Sequence, residues 1–95
     1  IITLATPHRP ALVMDFSTAA VYASLAPLPN VTVLSLGGGP RDVLIPSALT
    51  RIQSRGQQAI ELDTLSVRGT HLECDHQCIL WCNELVQALV RALYA

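Results

Sequence analysis

The chain has 95 residues, 51% of them hydrophobic and 14% charged, where ordinary soluble chains carry about 25% charged residues. It has room for one core, and a chain this short buries only about 60% of its unfolded surface or slightly more, so it is expected to be one piece of a larger fold. Six arginines, no lysine and seven acids give a net charge of −1, which provides none of the basic field that nucleic-acid binding requires.

Ile1 to Ala5 reads as a short buried strand, and its apolar start (Ile1, Ile2, Leu4) without Met, basic region or cleavage site suggests a beginning in mid-fold. Thr6-Pro7-His8-Arg9-Pro10 ends it, because two prolines cannot continue a ladder. Ser17 to Leu25 reads as a short helix capped by Ser17 and stopped by Pro27 and Pro29. Asn30-Val31-Thr32 is a glycosylation sequon, usable only in a secretory compartment. Val31 to Leu36 is β-branched and almost wholly apolar, the pattern of a central strand covered on both faces.

Gly37 to Asp42 forms a loop, Ser47 to Arg55 a weak helix ending near Gly56, and Ala59 to Val67 another strand. From Asp75 or His76 to Tyr94, Cys78, Trp81, Cys82, Leu85, Val86, Leu89 and Leu93 recur at helical spacing, which predicts a long amphipathic helix with Trp81 in the core. The uncharged stretch from Phe16 to Pro40 is broken by Pro27, Pro29, Asn30 and the triple glycine, and the C-terminal stretch by Asn83, Glu84, Gln87 and Arg91. Neither amounts to the roughly 20 apolar residues of a membrane span.

Strands alternating with helices predict an α/β fold with a parallel sheet. Ligands of such sheets bind beyond the carboxyl ends of the strands, here the segments Thr6 to Pro10, Gly37 to Pro46 and Arg68 to His76. Asp42 follows one strand and His76 the next, the chain order in which α/β-hydrolases supply the acid and the histidine of a triad. The histidine must take the nucleophile's proton, and a buried carboxylate must fix its tautomer. Each residue also has a structural reading: Asp42 can bind the backbone of the Gly-rich turn, and His76 can be the first helical residue after an Asp75 cap. His8 and His71 are competing loop histidines.

Three cysteines at positions 74, 78 and 82 cannot make a disulfide framework and leave the redox compartment open. With His71 they could be imagined around zinc, but no C-x-x-C knuckle is present, and buried core thiols are expected. The triple glycine lacks the spacing and the Lys of a phosphate loop and is expected to be flexible backbone near a site. No cofactor is implied. No G-x-S-x-G elbow occurs among the 95 residues, so a serine nucleophile would have to come from upstream.

Three segments carry a family likeness: Ile1-Ile2-Thr3-Leu4-Ala5-Thr6-Pro7-His8-Arg9, then Asn30 through Ser35-Leu36-Gly37-Gly38-Gly39-Pro40-Arg41-Asp42, and Cys74-Asp75-His76-Gln77-Cys78-Ile79-Leu80-Trp81-Cys82-Asn83. Together they resemble the GPI inositol-deacylase family of lipase-like α/β-hydrolases, over nearly the whole chain and in the right order. The resemblance implies that residues 1–95 are the later part of such a domain, without its nucleophile elbow: its last parallel strands, intervening helices and a long C-terminal helix. It implies a serine esterase of the endoplasmic-reticulum membrane, with its catalytic domain in the lumen and its membrane-spanning region outside this chain. Its partners would be GPI-anchored proteins and their acylated inositol lipid. Asp42 matches the acid position and His76 the histidine position, and Asn30 gains weight as a lumenal sequon. Cys74 departs from the small hydroxyl residue expected before the Asp-His pair. The rivals are a different lipase or esterase and a noncatalytic interaction fragment.

Overall fold

A computed structural model describes residues 1–10, 15–24, 26, 29–52, 58–70 and 73–95. Three strands, β1 (Ile2–Leu4), β2 (Thr32–Gly37) and β3 (Gln58–Asp63), form one sheet in the order β1-β2-β3, with both pairings parallel. The fold is therefore α/β, and the strand expected to be central, over Val31 to Leu36, lies in the middle. Leu4, Leu36 and Leu62 stand in one register row. Leu36 packs in a core with Ala5, Cys74, Ile79, Cys82 and Leu85, and Leu4 and Leu62 border it. On the other face of β2, Ser35 is just as buried and donates through Oγ to the Thr50 carbonyl at 2.6 Å. Central β2 is thus covered on both sides.

Helix α1 (Phe16–Ser24) starts one residue earlier than its sequence suggests. Asp15, not Ser17, caps it: Oδ1 accepts from the Thr18 amide at 2.7 Å and from the Ser17 hydroxyl at 2.7 Å. A carboxylate there meets the free amides and the positive end of the helix dipole together. Leu25 lies outside the described residues. The weak helix expected over Ser47 to Arg55 is a single 3₁₀ turn, Ser47–Thr50, and residues 53–57 lie outside the described set.

Two further differences arise from tertiary bonds. Strand β3 stops at Asp63 instead of running to Val67, because Thr64 leaves the ladder and bonds through Oγ1 to the Gly38 carbonyl at 3.0 Å. A 3₁₀ turn, Thr64–Ser66, follows. Helix α2 is Asn83–Leu93, far shorter than the predicted span from Asp75 or His76. The approach to it is a 3₁₀ turn, Cys78–Leu80, after which Trp81 (φ −132, ψ 5) and Cys82 (φ −60, ψ 111) depart from helical geometry. The break changes the helical phase and leaves Trp81 70% exposed, contrary to its expected place in the core. Leu85, fully buried, fastens α2 to the sheet; burying one such side chain contributes about 1.5–3 kcal/mol. Glu84 in the first turn and Arg91 in the last suit the helix dipole.

Candidate active site

The site is assembled at the carboxyl ends of β2 and β3. Beyond β2 the chain turns at once: Gly39 adopts φ +86, a value L side chains rarely take, and the Asp42 amide donates to the Gly39 carbonyl at 3.1 Å. This turn points the Asp42 side chain inward, where it is completely buried. A buried carboxylate needs full hydrogen bonding. Oδ1 accepts from the backbone amides of Leu44 at 3.1 Å and Ile45 at 2.9 Å, while Oδ2 faces His76 Nδ1 at 3.1 Å. The carboxylate is thus divided, one oxygen fixing the loop that follows Asp42 and the other meeting the histidine.

The glycine run is packed, not flexible. Gly37, Gly38 and Gly39 are all buried, because the neighbouring loops approach the backbone closely here. His76 arrives on the segment between the Thr64–Ser66 turn and the Cys78–Leu80 turn. Asp75 Oδ1 accepts from the amides of Gln77 at 3.0 Å and Cys78 at 2.7 Å, so Asp75 does cap, but a 3₁₀ turn and not a long helix. The Arg41 guanidinium donates through Nε to Glu73 Oε2 at 3.1 Å and joins the two loops on their outer side. Such an exposed pair contributes only about 0–1 kcal/mol.

An ionised Asp42 can only accept, so it holds the proton of His76 on Nδ1 and leaves the Nε2 lone pair for a substrate or nucleophile proton. The imidazole is 37% exposed over a fully buried carboxylate. It lines a pocket of about 220 Å³ with Arg41, Val43, Leu44, Asp75 and Gln77. Val43 and Leu44 are exposed beside it at 84% and 67%, giving the pocket an apolar lip.

His8 does not join this pair. His8 bonds to Thr3 Oγ1 at 2.9 Å at the end of β1; burial lowers its pKa, and Glu61 partly opposes the shift. His71 lies outside the described residues. Cys74 and Cys82 are buried in the core and Cys78 borders it. Burial, followed by hydrogen bonding and charge from Cys78, pushes the Cys74 thiol up to about 12. Among the described residues no group of three or more His, Cys, Asp or Glu is placed to hold a metal ion. Sequence reading missed Thr64 and the Cys74 backbone, both bonded to Gly38; neither carries a local signal, because each acts through a bond to a residue far away in the chain.

Comparison with known proteins finds relatives over almost the whole chain. A GPI inositol-deacylase of Xenopus laevis is 39% identical to the chain, covering 99% of it and 11% of that protein. The rat GPI inositol-deacylase is 32% identical over the same shares, and that of Neurospora crassa is 30% identical over 99% of the chain and 9% of its own length. The chain thus spans about a tenth of these relatives. No solved structure matches. The model of the PGAP1-like alpha/beta domain matches residues 1–95, and the chain belongs to that family.

Proposed function

We propose that the protein containing this chain is a GPI inositol-deacylase, a serine esterase that removes the acyl chain esterified to the inositol of GPI-anchored proteins, with His76 as its base and Asp42 as its orienting acid. The observation that carries this reading is the Asp42–His76 contact at 3.1 Å, its carboxylate buried and its imidazole open to a pocket. The nucleophile is supplied from outside these 95 residues. His76 Nε2 takes the serine proton as the hydroxyl attacks the acyl carbonyl, and the resulting imidazolium is stabilised by Asp42. It then gives that proton to the departing inositol oxygen, leaving an acyl-serine that water clears by the same sequence in reverse.

The apolar lip of Val43 and Leu44 suits a fatty acyl ester better than a polar one. The relatives' name supports the inositol ester as substrate. Asn30, exposed in a turn at φ 60 ahead of β2, is sterically open to glycosylation. An endoplasmic-reticulum membrane protein with this domain in the lumen would use that sequon. Fatty-acid release from acyl-inositol GPI by the full-length protein tests the proposal. Activity in the wild type that falls to background in His76→Ala is expected, and hydrolysis that survives the substitution would reject it.

A further inference from the structure

Gly38 lies between the two halves of the site. Its carbonyl accepts from the Cys74 amide at 3.0 Å and from Thr64 Oγ1 at 3.0 Å. A Cβ built on Gly38 would come within 2.6 Å of the Cys74 carbonyl oxygen, 2.9 Å of Asp42 Cβ and 3.3 Å of Asp42 Oδ2. Neither of the two nearest atoms can step aside cheaply. One is backbone, held by the amide of the same residue on the Gly38 carbonyl, and the other is the root of a side chain with no exposed surface. Cys74 is two residues before His76, and Asp42 is the partner of that histidine. The bare Cα of Gly38 is therefore wedged between the segment delivering the base and the residue delivering the acid.

We propose that Gly38 is a positioning residue for the esterase reaction: its missing side chain sets the Asp42–His76 separation, and its carbonyl, steadied by the Thr64 hydroxyl, anchors the histidine segment through the Cys74 amide. The proposal rests on the Asp42 and His76 roles above. Thr64 is completely buried and makes this bond from the first residue after β3, so the ends of β2 and β3 and the histidine segment meet at one carbonyl. A methyl group at 38 drives the Cys74 carbonyl and Asp42 apart and lengthens the Asp42–His76 bond. Substrate contacts are untouched, so the effect belongs in kcat and not in KM.

The test compares Gly38→Ala, Thr64→Val, Thr64→Ser and His76→Ala in the full-length enzyme, measuring kcat and KM for fatty-acid release. Misplacement of catalytic groups by about 1 Å costs about 10²-fold, so kcat in Gly38→Ala is expected to fall by about that factor, with KM within about twofold. Thr64→Val, which keeps the volume and loses the hydroxyl, is expected to lower kcat by about 3- to 10-fold, the range of one neutral hydrogen bond. Thr64→Ser, which keeps the hydroxyl, restores it. Wild-type kcat in Gly38→Ala, beside an inactive His76→Ala, would overturn the positioning role and leave the esterase reading standing. An active His76→Ala would overturn both. If Gly38→Ala does not accumulate as folded protein, the Thr64 pair decides, and equal kcat in its Val and Ser variants overturns the proposal.

Discussion

Replacing Asp42 by asparagine separates its two duties most cleanly. The amide has one oxygen where the carboxylate has two. In one orientation that oxygen still accepts from the Leu44 and Ile45 amides, which now stand at 3.1 and 2.9 Å from Oδ1, and the NH₂ faces His76 Nδ1. In the other, the NH₂ confronts two backbone donors, and each buried donor left unsatisfied costs about 1–3 kcal/mol. The first orientation wins, so the loop and the fold survive. Its consequence for the histidine is severe: an N–H aimed at Nδ1 makes that nitrogen the acceptor and moves the ring proton to Nε2, where the lone pair is needed. Loss of the correct tautomer in a triad lowers kcat by about 10⁴, equivalent to about 5 kcal/mol of activation free energy. The assay is fatty-acid release by full-length Asp42→Asn, with a thermal melt of the same preparation. The expected result is near-complete loss of turnover with a melting temperature close to wild type. Turnover within about tenfold of wild type would show that Asp42 serves only its own loop, and the acid assignment would be wrong.

Cys78 borders the core while Cys74 and Cys82 are buried in it, and the Cys74 thiol is pushed up to about 12, so in native protein at pH 8 iodoacetamide should modify Cys78 first; peptide mass spectrometry showing Cys74 modified ahead of it would contradict the packing. The bonds from the Thr18 amide and Ser17 hydroxyl lower the Asp15 pKa to about 2 from an ordinary 3.8. A carboxylate depressed in the folded state stabilises it fully above the ordinary value and loses that contribution as pH falls through the folded one. Protection of the Thr18 amide against hydrogen exchange should therefore hold down to about pH 4 and weaken towards pH 2, and in Asp15→Ala it should be reduced from about pH 4 upward, the two proteins converging towards pH 2. Unchanged protection in that variant would remove Asp15 as the cap.

Much of this was legible in the order of residues because it depends on local pattern. The run Val31 to Leu36 marked the central strand, since Val31 and Val33 on one face and Leu34 and Leu36 on the other suit a strand covered on both sides. Helical spacing of Leu85 and Leu89 marked α2, and chain order at strand ends marked Asp42 and His76. Boundaries set by bonds to distant residues were not legible. β3 ends at Asp63 because Thr64 reaches a carbonyl 26 positions earlier in the chain. The helical periodicity from Asp75 to Tyr94 was only partly structural: apolar residues at that spacing also satisfy a 3₁₀ turn packed on the same core, and the break at Trp81 and Cys82 lies in dihedral angles with no residue signature such as Pro or Gly.

Chain order alone marked the side chains that could act, an acid and a histidine in the segments that follow two strands, with a triple glycine before the acid. The tertiary structure decided their relation. It alone buried the Asp42 carboxylate, divided its oxygens between the Leu44–Ile45 loop and His76, excluded His8 by placing it on Thr3, and turned the glycines from loose chain into close contact. The physical reason is range. Propensity and periodicity act over a few residues, whereas the 3.1 Å contact joins residues 34 positions apart, and only the parallel sheet, by aligning the ends of β2 and β3, brings them together.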